Sequence, residues 1–111
     1  MSTIDDVLKS IKSDVPAVIK DQLKDLLTSA VEDTDSVIKE TGQKLKDWLL
    51  MLAEGKISNE EFEALLYSRD QLVRQYKNTL EIQARARVEK IALALINLIS
   101  EKIFRIPFGT I

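Results

Sequence analysis

Two acidic and two basic groups of residues in this 111-residue chain have the types and spacing for chemistry. The first is "DTDS" at 33–36, which opens like a calcium-binding loop with Asp33 and Asp35. A calcium loop also needs Gly at its sixth position and Glu at its twelfth. Here that Gly is missing and residue 44 is Lys, so the ligand set fails. The second acidic group is Glu60, Glu61 and Glu63. It stands where a helix begins, and the helix dipole alone accounts for carboxylates there.

Arg69 and Arg87 sit on the apolar stripe of a long helix, where an unpaired charge would be costly. They could hold an anion or phosphate between helices, but a structural role is the expectation. Arg69 is expected within about a turn of Trp48, close enough for a cation–π contact, and both Arg stems can run past apolar neighbours. The second basic group, Arg74, Lys77 and Arg85, shares its face with Glu81 and Glu89, and Glu81–Arg85 is a favourable i,i+4 pair. Phosphate backbones are met by uninterrupted basic stripes, so nucleic acid is not an expected partner.

The chain holds no Cys and no His. That removes disulfides, thiolate nucleophiles, His-based triads, di-iron carboxylate–His sites and zinc or haem held by imidazole or thiolate. The expectation is a protein that is not an enzyme, with no catalytic residues, no metal and no cofactor.

The elements that carry these residues are helices. Hydrophobic residues make up 45% and charged ones 31%, while Gly and Pro together number only five, which leaves little loop. The length fits a single domain, 1–111. Thr3 and Asp6 resemble a capping box, and Ile4, Val7, Leu8 and Ile11 follow at helical spacing, so a short first helix is predicted over about 4–13. Pro16 then opens the next helix.

From there Val15, Ile19, Leu23, Leu26, Ala30, Thr34, Val37, Thr41, Leu45, Trp48 and Leu52 recur at steps of 4, 4 and 3. This eleven-residue period predicts a nearly straight or slightly right-handed helix over about 16–54. In "GKISNEEF", Ser58 and Glu61 form a capping box, with Ile57 and Phe62 at the hydrophobic-staple positions. The turn at Gly55–Ser58 is short enough to force antiparallel neighbours.

A last helix is predicted over 59–103, with the stripe Phe62, Leu66, Arg69, Val73, Tyr76, Leu80, Ala84, Arg87, Ile91, Ala94 and Leu98. An apolar extended tail, 104–111, follows, kept out of helix by Pro107 and Gly109. "EDTDS" (32–36) and "KNT" (77–79) are the two places where the long helices could break, and Gly42 weakens the first of them. Because the stripe keeps phase through both places, the favoured all-α fold is a short N-terminal helix plus a long antiparallel hairpin, paired in coiled-coil fashion. The alternative is a compact four- or five-helix up-down bundle.

Charge is divided between the two halves. Residues 1–63 carry 8 Lys against 14 Asp/Glu, a balance of −6, and residues 64–111 carry 8 Lys/Arg against 4 Asp/Glu, a balance of +4, which together give the net −2. Opposite charge predicts that the halves pack together.

"IALALINLIS", residues 91–100, is the most apolar run in the sequence. Residues 91–99 span about 13 Å of helix, too short for a bilayer core, which takes about 20 residues, so no transmembrane segment is expected. A long hairpin cannot cover all its apolar surface, so a homo-oligomer, dimer or higher, is the expected state. The interface would comprise Ile91, Leu95, Asn97, Leu98, Ile99, Ile103 and Phe104, with Ile106 and Phe108 of the tail. Asn97 would set register there.

The N-terminus lacks the basic and apolar segments of a signal peptide, so the cytoplasm is the expected location. The functional expectation is a non-catalytic structural or adaptor protein that self-associates and captures a protein partner with its C-terminal segment. An amphipathic coat on a lipid or granule surface is the alternative.

Overall fold

The computed structural model describes residues 4–11 and 15–104 and is all-helical among them. Helix α1 spans Ile4–Ser10, α2 Ala17–Val31, α3 Ser36–Ala53 and α4 Asn59–Lys77. Helix α5 runs over 82–103. It begins as the α-helix Ile82–Val88, widens to a π-helix at Glu89–Leu93 and again at Leu98–Ile103, and makes one ordinary turn, Ala94–Asn97, in between. Thr3 of the expected first capping box lies outside the described residues, as do 12–14 and the tail residues 105–111.

The two long helices expected from the sequence are therefore corrected: each is broken. The break at 32–35 comes from local side-chain chemistry. Asp33 Oδ1 accepts the Asp35 N–H at 2.7 Å. Asp35 Oδ1 then caps α3 by accepting from the N–H of Val37 at 2.9 Å and of Ile38 at 3.0 Å. The break at 78–81 has weaker local support. Thr79 Oγ1 donates to the Tyr76 carbonyl at 2.7 Å, and Glu81, at the head of α5, is extended with no side-chain cap. The fold must supply the rest, and it does so by burial. Folding over lays α2 on α3, so that Leu23, Leu27 and Ala30 share one core with Ile38, Leu45 and Leu49. Each large apolar side chain buried this way contributes on the order of 2 kcal/mol, against about 1 kcal/mol for a cap.

Between the breaks, the turn at 54–58 matches the sequence expectation closely. Gly55 takes the left-handed conformation at φ 74°. Lys56 N–H donates to the Met51 carbonyl at 2.8 Å and Gly55 N–H to that of Leu52 at 3.1 Å, so α3 ends in a Schellman motif. Ser58 and Glu61 close the capping box on α4 with bonds of 2.9 and 3.1 Å.

The described helices form a compact bundle of five, the alternative to the long hairpin, arranged as such a hairpin would be if folded in half. Helix α3 lies on α4, and α2 lies on the C-terminal half of α5, as in a straight hairpin. Folding over adds α2 on α3, and α5 against α4 and α3. The Cα radius of gyration is 13.3 Å, the value for a compact domain of this length and far below that of rods about 60–67 Å long. The second hairpin needed to cover the apolar stripe is the other half of the same chain.

This geometry also turns the helices. The buried positions are Leu27, Ile38, Leu49 and Val88, one residue beyond the expected Leu26, Val37, Trp48 and Arg87. A helix that faces both its hairpin neighbour and the half folded over it centres its buried arc between the two.

Candidate functional site

The polar residues singled out in the sequence fall at the junctions between helices. Arg69 is buried, with 7% of its surface exposed, and its Nη2 donates to Glu40 Oε1 at 3.0 Å. The expected contact with Trp48 is thus corrected: Lys44, one turn earlier on the same helix, places its Nζ 6.0 Å from that ring's centroid. Arg87 is corrected too, because it is an exposed residue. Its guanidinium reaches back to Asp33 Oδ2, at 3.1 Å from Nε and 2.9 Å from Nη2. The Asp33 side chain is only 3% exposed.

Beside that pair, Tyr76 Oη donates to Asp35 Oδ2 at 2.6 Å. Asp33, Asp35, Tyr76 and Arg87 thus tie the α2–α3 turn to the residues flanking the α4–α5 turn. The acidic first half meets the basic second half here and at Glu40–Arg69, as the charge division predicts. The network has little capacity for chemistry. Both oxygens of Asp33 and both of Asp35 are engaged by N–H or O–H donors. Among the described residues no group of three or more His, Cys, Asp or Glu is placed to hold a metal ion.

Burial pushes the Asp35 carboxyl up, but the Tyr76 hydroxyl, the N–H groups of Ile38 and Val37 and the Arg87 charge together hold it below its ordinary 3.8. The same hydrogen bond, with burial and the Asp35 charge, raises Tyr76 above its ordinary 10.0. A depressed carboxylate stabilises the fold above its unfolded value and loses that contribution as pH falls through the folded one. Stability should therefore drop as pH falls below 3.8. The drop should be smaller in Asp35→Asn, which keeps the cap and removes the charge. Urea midpoints measured from neutral pH down through the carboxylate range check this, and identical drops in the two proteins would count against it.

The mixed-charge face on α4 and α5 is occupied by its own contacts. Arg74 Nε donates to Asp70 at 3.0 Å, and Lys77 pairs with Glu89 at 3.2 Å. Arg85, expected to pair with Glu81, donates instead to the Leu80 carbonyl at 2.7 Å. Sequence reasoning missed Asp70, which is 4% exposed, with Oδ1 lacking a hydrogen-bond partner among the described residues. Its i,i+4 spacing to Arg74 was the available signal.

The apolar run is placed differently from expectation. Leu95, Leu98 and Ile99 are buried in the chain's own core, together with Ala92, Leu93 and Ile96. In the two π-helical stretches successive residues turn through a smaller angle, so the neighbours Ala92–Leu93 and Leu98–Ile99 both point inward. Leu95 and Ile96, in the ordinary turn between them, are both buried because several helices cover this part of α5. Ile91, Asn97, Ile103 and Phe104 are half-buried at its edges. Ile106 and Phe108 lie outside the described residues. No helix among the described residues is long and apolar enough to cross a membrane.

Among the described residues, an opening lies at the end of the bundle where α5 finishes. It is a cleft of about 530 Å³ whose wall is part apolar, with Ile11, Val15, Leu49, Leu52, Phe62 and Phe104, and part polar, with Ser10, Asn59, Glu63 and Lys102. Phe104 leans on Phe62 at 4.9 Å between ring centroids and 47° between planes. The residues lining it come from five parts of the sequence; Ile11, Val15, Leu52 and Phe62 stood out only as helix-face positions, and Ile103 and Phe104 alone were expected at an interface. No protein-family model matches the chain, and no curated protein or solved structure matches it either.

Proposed function

We propose that this protein is a non-catalytic helical adaptor whose working end is the mixed apolar and polar cleft at the close of α5. The observation that carries this reading is the position of that cleft. Its wall includes Phe104, the first residue of the apolar segment "FRIPFGTI". A volume of about 530 Å³ falls within the ~300–1,000 Å³ of ligand pockets and suits a few apolar side chains. The ligand class is a short apolar segment of the kind the chain itself carries, donated by a partner or exchanged between copies. The lipid-surface alternative has less support, because Leu23, Leu27, Leu45 and Leu49 are turned into the core and would need the fold to open.

The test uses the peptide Phe-Arg-Ile-Pro-Phe-Gly-Thr-Ile and a chain lacking 105–111. The shortened chain should keep its helicity, because the described core lies within 4–104, and it should bind the peptide saturably. Leu52→Glu, on the cleft wall, should weaken that binding at least about tenfold, since a buried unpaired carboxylate is expensive. A folded shortened chain with no affinity for the peptide would contradict the adaptor reading.

A further inference from the structure

The packing that folds the hairpin in half is made between two units that are each continuous in sequence, and either unit could come from another copy. We infer that this chain can exchange halves with a second copy of itself. The turns at 32–35 and 78–81 straighten, and two open hairpins pair through the faces that the compact form folds together.

The three turns differ in the way this requires. The turn at 54–58 is fixed as a turn by left-handed Gly55, the Schellman bonds and a complete capping box. The other two contain neither Gly nor Pro. Their first residues, Glu32 and Asn78, already have right-handed helical backbone, and their last residues, Asp35 and Glu81, are extended at ψ 125° and 162°. Straightening therefore needs rotation at only a few residues.

The two turns also lie at one level of the hairpin, since Asp33 meets Arg87 and Asp35 meets Tyr76 across it. Both can open together without breaking the α3–α4 and α2–α5 pairs. The apolar faces resume within about a quarter turn across each turn, from Ala30 to Ile38 and from Val73 through Leu80 to Val88, with Thr34 and Ala84 exposed between them, so an open hairpin presents one broad stripe. The α2–α3 and α4–α5 packing that opening breaks within one chain re-forms between two, which is the condition for exchange between identical copies. Opening parts the cleft, whose wall takes Ile11, Val15 and Phe104 from one unit and Leu49, Leu52 and Phe62 from the other, and exchange rebuilds it between copies. Exchange is read from mass and radius and the adaptor reading from peptide binding, so the two can fail separately.

The experiment compares Asp35→Ala/Thr79→Ala, which removes a capping side chain at each turn, with the unaltered chain refolded from urea at high protein concentration. Both are read by size exclusion with in-line scattering. The expected product is a dimer of twice 12.6 kDa with a radius above about 20 Å, as rods of roughly 40 helical residues require. The variant should form at least about tenfold more of it. Diluted, the dimer should persist until urea unfolds it, because exchange reverses only through opening. A helical variant that stays monomeric at an unchanged radius would overturn the inference. So would a dimer that falls apart on simple dilution, since that is surface association. Should the variant not fold, the unaltered chain decides: an elongated, persistent dimer supports exchange, and monomer alone overturns it.

Discussion

Leu95→Ala should cost about 3 kcal/mol of stability, and the loss should be the same at every dilute protein concentration. Leu95 has 0% of its surface exposed and sits among Ala92, Ile96 and Ile99 in the chain's own core. Leu-to-Ala changes in cores cost about 2–5 kcal/mol, and the upper part applies where surrounding side chains cannot collapse into the space. Here the neighbours are held by other helices of the same chain. A domain of this size has roughly 5–15 kcal/mol in total, so one substitution removes a large share. Urea denaturation over a range of dilute protein concentrations, below those at which halves exchange, separates two origins for that loss. A core residue gives a lowered midpoint that does not move with concentration. A residue packed against another copy gives a midpoint that rises with concentration, because association is linked to folding. The first result is expected.

Gly42→Val should be at least as damaging, at about 3 kcal/mol or more. On helix propensity alone, replacing Gly42 inside α3 would stabilise by up to about 1 kcal/mol. Space decides the other way. A Cβ on residue 42 would stand 2.6 Å from the Ala30 Cβ, 3.0 Å from the Val31 backbone nitrogen and 3.1 Å from Val31 Cγ1. The first two are a backbone-proximal methyl and the backbone itself, so relief requires α2 and α3 to separate. Overpacking of a filled core typically costs about 1–3 kcal/mol, and the two further methyls of Val add to it. Gly42→Ala should have a smaller effect than Gly42→Val and still destabilise, in spite of its better propensity. An increase in the urea midpoint for Gly42→Ala would show that α2 and α3 do not approach this closely.

Gly42 also shows what could be read from sequence. As a sequence feature it is a weak point in a long helix. In the fold it is the place where α2 touches α3, which a one-dimensional pattern cannot reveal. The helical class, the Gly55–Ser58 turn and the pairing of an acidic half with a basic half were legible, because each depends on local chemistry or on charge summed over long segments. The stripe was legible to within a residue, and its small rotation toward Leu27, Ile38, Leu49 and Val88 reports the second layer that the hairpin gains by folding over.

The breaks at 32–35 and 78–81 could be named as candidates and not decided. A straight hairpin and a folded one present nearly the same stripe, and the difference lies in whether its other side is covered by the same chain or another. The same ambiguity assigned "IALALINLIS" to an oligomer surface. Its residues face several directions and need several neighbours, and the fold supplies those neighbours from α2, α3 and α4. The cleft was the least legible feature, since its wall gathers residues from Ile11 to Phe104 that share no spacing.

Size exclusion with in-line small-angle scattering on the dilute, natively purified protein tests the folded hairpin most directly. A hairpin folded in half gives a single species of 12.6 kDa with a radius of gyration close to the 13.3 Å of the Cα trace, slightly larger for side chains and hydration. A dilute, native species of twice that mass with a radius above about 20 Å would contradict it, because the α2–α3 and α4–α5 turns would then be straight and the apolar run would lie against another copy.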